Sequence, residues 1–228
     1  MAGPASTSYY HTFDVDGTPY YASFDFYSDN PAAISASLTL LKGFKTAQQA
    51  SEWSCGPASA RMVLEWFGKL GGETEFSLAK KRKNDKEGAT TLDGMAEIFD
   101  SLGGWSYVST DDMDDDLCIG DYSLEEDLIP YCLENGIPVM IGWNEWGGHW
   151  QVVIGFDDMG TAATQDDVLI LADPYDTTDH NQDGYVIESF ERLVYGWGAG
   201  FDERGSEVFL IAAPGDALTA AGLVASGS

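Results

Sequence analysis

Cationic side chains are scarce in this chain. Only 11 Lys and Arg stand against 38 Asp and Glu, a net charge of −27 over 228 residues. So acidic a surface repels nucleic acid and anionic lipid headgroups, which argues against a DNA- or RNA-binding role. It serves solubility, and its sharper consequence would be a preference for cationic substrates. Cysteine is scarce too. Cys55, Cys118 and Cys132 form no CxxC pair, which argues against a disulfide framework and a cysteine-rich zinc site. A single Cys118–Cys132 bridge would leave Cys55 free. There is no Asn-x-Ser/Thr sequon, and no apolar run approaches the length of a membrane span. The start, Met1-Ala2-Gly3-Pro4-Ala5, lacks the basic and apolar regions of a signal peptide, so the chain as written reads as cytoplasmic. An extracellular or cell-envelope protein would need a signal already removed. P-loop, dinucleotide-binding and HExxH patterns are missing as well, and no cofactor is expected.

What is present is ample material for a core. Apolar residues make up 44% of the chain and aromatics 13%, enough for one large or two-lobed folded domain. Ala58, Met62, Val63, Trp66, Phe67 and Leu70 recur at helical spacing and predict a helix closed by Gly71-Gly72. Leu92, Met95, Phe99 and Leu102 predict a second, closed by Gly103. Ser123-Leu124-Glu125-Glu126 reads as a capping box for a third, which Pro130 should kink or shorten before Gly136. Beyond that point the texture turns to strands: 137–141, 149–156, 168–171, 184–187 and 208–212. Alternation at 20–26 adds one or two strands nearer the start. Helices followed by an antiparallel sheet read as α+β. The expected organisation is a strand-rich extension over 1–45, a domain over 46–215 and a flexible tail over 216–228. The basic run Lys80-Lys81-Arg82-Lys83 and the acidic run 111–116 are expected on exposed loops or helix ends.

The chemistry centres on Cys55. A polar stretch containing Gln48 and Gln49 leads into Cys55-Gly56-Pro57 and then the first helix. A thiol at a helix N-terminus is favoured as thiolate by the aligned backbone dipoles, and a thiolate is a nucleophile. It needs a base, and His149, at the start of a strand behind Gly147-Gly148, is the best placed of three histidines; His11 lies near the terminus and His180 in a polar loop. If the 149–156 and 168–171 strands pair antiparallel, Asp173 returns beside His149. It can then accept the Nδ1 proton and leave Nε2 facing Cys55. Asp157 and Asp158 would lie at the opposite end, and Asn144 is a weaker competitor. Oxyanion donors would be the Cys55 N–H and the side-chain amide of Gln49, with Gln48 as the adjacent alternative. Trp143, Trp146 and Trp150 around His149 suit either a cleft wall or the core.

Gln49, Cys55-Gly56-Pro57-Ala58, Gly148-His149-Trp150 and Asp173-Pro174, in that order over about residues 45–200, resemble the papain-like cysteine peptidases. Within them the pattern is most similar to the bacteriocin-processing, double-glycine peptidase type and its stand-alone relatives. The resemblance implies a papain-like fold, a Cys55–His149 pair, orientation by Asp173, an oxyanion glutamine at Gln49, and a peptide or protein substrate. The chain departs from that group in having no membrane segment, about 45 residues ahead of the motif and a charged insertion near 72–90. Acyl transfer to an amine, as in papain-like transpeptidases, and a catalytically silent peptide-binding module remain open alternatives. Asp179-His180-Asn181-Gln182-Asp183-Gly184 opens like an EF-hand calcium loop, but Phe190 stands where the bidentate Glu belongs. Asp176, Asp179, Asn181 and Asp183 could hold a cation only in another geometry; an Asx-turn loop is the simpler expectation.

Overall fold

The computed structural model describes residues 37–83, 87–112, 127–144, 147–177, 183–197 and 208–224. The expected strands at 20–26, the capping box at 123–126, Cys118, Trp146, His11, His180, Asp179 and Asn181 lie outside them. Among the described residues, seven antiparallel strands build one sheet: β1 (Leu38–Leu40), β2 (Trp105–Ser109), β3 (Val139–Trp143), β4 (His149–Asp157), β5 (Val168–Ala172), β6 (Tyr185–Ser189) and β7 (Val208–Pro214). Their order is β2-β7-β3-β4-β5-β6. β1 extends the edge of β4 past the end of β3, pairing with Gly155, Phe156 and Asp157. Every residue of β4 is buried, so both faces of this central strand are covered. The apolar runs of β3, β4 and β5 follow from that coverage, because a strand covered on both faces loses the alternation of a half-exposed one.

Helix α1 (Cys55–Trp66) packs on β4 and is tied to it by a hydrogen bond from Ser59 Oγ to the Trp150 carbonyl at 3.1 Å. It starts at Cys55 and stops at Trp66, a turn earlier than the apolar spacing suggests, because Gly68 (φ +65°) already reverses the chain. Helix α2 (Glu75–Ala79) falls inside the charged insertion. It is set by a reciprocal capping box in which the Thr74 hydroxyl accepts from Ser77 N–H and Ser77 Oγ accepts from Thr74 N–H. Helix α3 (Leu92–Leu102) has the predicted bounds, with Thr91 capping its start and Gly103 (φ +68°) its end. In α4 (Ile129–Glu134), Pro130 stands in the first turn. It stands where a wider helical turn at Asp127 and Leu128 passes into the α-helix proper, a break in regularity of the kind expected of a proline. Helix α5 (Phe190–Trp197) buries Phe190, Leu193 and Trp197, a seam the strand reading passed over. Helix α6 (Ala217–Ala220) corrects the expected tail: Leu218 and Leu223 are fully buried, so packing continues through this segment.

The basic run also needs correction. Arg82 is buried, whereas Lys80 and Lys83 are exposed as expected. Its guanidinium donates to the Ala79 and Gly88 carbonyls and to Thr90 Oγ1. Trp143 and Trp150 are core residues, bonded to Gln151 Oε1 and the Thr90 carbonyl respectively, each at 2.7 Å.

Candidate active site

Cys55 occupies the first position of α1, and the first turn carries no acidic side chain. The N–H groups of that turn have no partner within the helix, so their positive end faces the thiol's surroundings uncompensated. Gly56 is required here by space: a Cβ on it would lie 2.5 Å from Thr90 Cβ. The approach to the helix is a tight polar loop. Ser51 and Ser54 hydroxyls bond each other at 2.7 Å, and the Ser51 carbonyl accepts both Ser54 Oγ and Gln49 Nε2.

β4 brings His149 to the opposite wall. As predicted, β4 and β5 pair antiparallel, and Asp157 stands at the far end, opposite Val168. Extending the Val152↔Ala172 register by one residue puts Asp173 across from Gln151, on the face that His149 shares two residues away. The His149 ring meets Asp173 Oδ1 at 2.7 Å, with both side chains buried. The contact runs through Nε2, so the ring is turned over relative to the expected orientation. The remaining nitrogen, Nδ1, is the one turned away from Asp173, and Cys55 lies near enough to the imidazole to raise its pKa. The sequence argument placed both partners but assigned the two edges of the ring the other way round.

Burial pulls the His149 pKa down, but the hydrogen bonds and charges of Asp173 and Cys55 outweigh it and leave the group raised to about 9. Burial works the other way on Asp173, raising it. His149, the Tyr175 N–H and Gln151 together overcome this and hold the carboxyl below its ordinary value. Gln151 is a participant that the sequence reading missed. It is buried, helps to lower the Asp173 carboxyl, and accepts from Trp143 Nε1. The signal for it was a polar residue at i+2 from His149 in an otherwise apolar strand. Tyr175, half exposed, meets the imidazole edge-on at 6.3 Å between ring centroids. Asn144 is exposed and Asp173 is the residue on His149.

The segment carrying the two glutamines runs along the end of β5. Gln49 N–H donates to the Pro174 carbonyl at 2.7 Å, and Gln48 Nε2 reaches the Asp173 carbonyl at 3.2 Å. Of the pair, Gln49 is the less exposed; its Nε2 donates to the Ser51 carbonyl at 2.8 Å. Thr46 Oγ1 and the Phe44 carbonyl anchor the same segment to Asp183 and Tyr185. In the loop that resembled a calcium site, Asp176 Oδ2 accepts Gly184 N–H and Asp183 Oδ1 accepts Tyr185 N–H, as in a turn-forming loop. Phe190 begins α5 and is buried. No cluster of His, Cys, Asp or Glu suited to a metal occurs among the described residues. Among them, too, no helix is long and apolar enough to cross a membrane.

A helix-borne cysteine facing a sheet-borne histidine and aspartate defines the papain-like class of α+β proteins. The chain belongs to the Peptidase C39-like family, whose model matches residues 41–198, and is a cysteine-type peptidase. Among solved structures it is similar to the peptidase domain of Streptococcus ComA, a bifunctional ABC transporter involved in quorum sensing. Identity is 20% and the TM-score 0.49, over 75% of this chain and 98% of that one. It is also similar to a double-glycine-motif protease from an AMS/PCAT transporter in complex with its leader peptide. There identity is 17% and the TM-score 0.44, over 74% of this chain and 90% of the other. No curated protein matches the sequence.

Proposed function

We propose that the chain hydrolyses peptide bonds through Cys55, His149 and Asp173, by way of a thioester on Cys55. The observation that carries this reading is the 2.7 Å contact of His149 Nε2 with buried Asp173, which leaves Nδ1 to the Cys55 thiol. In the first step Cys55 Sγ gives its proton to Nδ1 and attacks the carbonyl carbon. The oxygen, now carrying the charge, takes hydrogen bonds from the Cys55 N–H and from the Gln49 amide, whose NH2 retains one hydrogen beyond that given to Ser51. The same imidazolium then protonates the departing amine, the C–N bond breaks, and the acyl group stays on sulfur. Water, deprotonated at Nδ1, attacks the thioester and releases the acid with return of the proton to Cys55. Asp173 stays ionised throughout and holds the ring in register. An imidazole raised to about 9 holds the proton it shares with the thiol and has it in place for the departing amine.

Replacing Cys55 with Ala removes the nucleophile and is expected to abolish turnover of a fluorogenic peptide library, with no loss of folded protein in a thermal melt. Undiminished hydrolysis by Cys55→Ala would exclude the mechanism.

A further inference from the structure

Outside the four residues of the proposed mechanism, one buried carboxylate reaches the loop in front of Cys55. Glu75 opens α2 and is only 7% exposed, although Glu ordinarily stays in water. Both its oxygens lie within reach of a single backbone donor, Ala50 N–H, at 2.9 and 3.2 Å. Ala50 directly follows Gln49. The Gln49 N–H is held from the other wall by the Pro174 carbonyl at 2.7 Å. Two successive amides are therefore anchored in opposite directions, one to the sheet side and one to α2. That fixes the backbone from which the Gln49 side chain projects.

The insertion that carries Glu75 is itself braced against the same loop. The Arg82 guanidinium stands 5.6 Å over the Trp53 ring, two residues before Cys55, and Phe76 meets that ring edge-on at 6.1 Å. Arg82 also bonds Thr90, the residue packed against Gly56. Glu73 and Lys81 close α2 with an ion pair at 3.0 Å.

We infer that Glu75 is a positioning residue for the oxyanion site, holding Gln49 in place through the Ala50 N–H. The inference rests on the reading of Gln49 as an oxyanion donor. A charge-assisted hydrogen bond to a backbone amide is stronger and shorter than a neutral one, which suits a group that must not yield when charge develops beside it.

The test separates the thiol from the oxyanion site. Iodoacetamide alkylation of Cys55 needs the thiol and His149 but no oxyanion donor. A peptide aldehyde inhibitor needs both, because its bound form is a tetrahedral hemithioacetal. Glu75→Leu is expected to lower kcat by about 10- to 100-fold and weaken aldehyde binding by a similar factor. KM and the alkylation rate should stay within about twofold, and Glu75→Gln, which keeps an acceptor oxygen, should recover most of the loss. In a Gln49→Ala background, Glu75→Leu should cost nothing further. Unchanged kcat in Glu75→Leu overturns the inference, as does a parallel fall of kcat and alkylation rate. Should Glu75→Leu not fold, Glu75→Asp withdraws the carboxylate by one methylene and is expected to show the same pattern at smaller amplitude; full kcat there overturns it equally. Gln49→Ala with undiminished kcat would instead sink the oxyanion reading itself, whatever Glu75 does.

Discussion

His149 sits between two partners that act on it in the same direction. Its raised pKa, about 9, follows from Asp173 and Cys55 prevailing over burial. The basic limb of kcat/KM is therefore expected near pH 9, where His149 loses its proton. In Asp173→Asn that limb should move toward the ordinary histidine value near 6.5, with a fall in kcat of about 10²- to 10⁴-fold. A limb unmoved by the substitution would dissociate Asp173 from His149. Stability carries the same signature. The folded pKa exceeds the unfolded one, so the contribution of His149 is complete below 6.5 and is lost as pH rises through about 9. Asp173 has the opposite sign: its lowered pKa contributes above the ordinary carboxylate value and is lost as pH falls through the folded one. Gln151 supports this carboxylate from the neighbouring strand. Gln151→Leu leaves buried Trp143 Nε1 without its acceptor and removes one of the groups that lower Asp173, and should destabilise the protein by about 1–3 kcal/mol in a urea titration. A loss below about 0.5 kcal/mol would mean that neither partner depends on it.

At the scale of elements, the site is built where α1 meets β4, and the tightest point of that junction is Gly56 against Thr90. Gly56→Ala forces the helix start away from its neighbour. It is expected to cost about 1–3 kcal/mol and to reduce kcat by moving the thiol, while Gly72→Ala, with open space around it, should change neither. The elements that place Cys55 and His149 were legible in the sequence because each carries a period over several turns or residues. α1 and α3 each show one apolar face with a Gly beyond the end; β4 and β5 each carry a run of apolar residues, and their antiparallel pairing brings Asp173 back. α2 was not legible, since five residues hold no period and its bounds come from the exchange between Thr74 and Ser77. β1 has three residues, β2 is only partly buried, and their existence depends on β4 and β7 as partners. α5 did carry a readable seam in Phe190, Leu193 and Trp197, hidden by the β-branched and aromatic composition around it. The orientation of the His149 ring was beyond any pattern, because it depends on which edge of the imidazole Asp173 Oδ1 meets once β4 and β5 are paired.

Across the whole molecule, one sheet supports both chemistry and stability, and its described strands carry only two acids, Asp157 and Glu188. A charge of −27 on a chain of this size repels itself. Ionic strength screens such repulsion over a distance of about 10 Å at 0.1 M. The thermal midpoint should therefore rise as NaCl is added from about 10 mM to 0.5 M, and a flat or falling midpoint would show the acidic surface to be locally neutralised. The same folded frame makes the central claim accessible to a single measurement. An activated peptide ester, mixed with the protein and quenched in acid within its first turnover, would be read by intact-protein and peptide mass spectrometry. The mechanism predicts an added acyl mass located on Cys55, absent from Cys55→Ala and formed far more slowly in His149→Ala. An acyl group on any other residue, or ester turnover with no acyl mass and undiminished in Cys55→Ala, would contradict it.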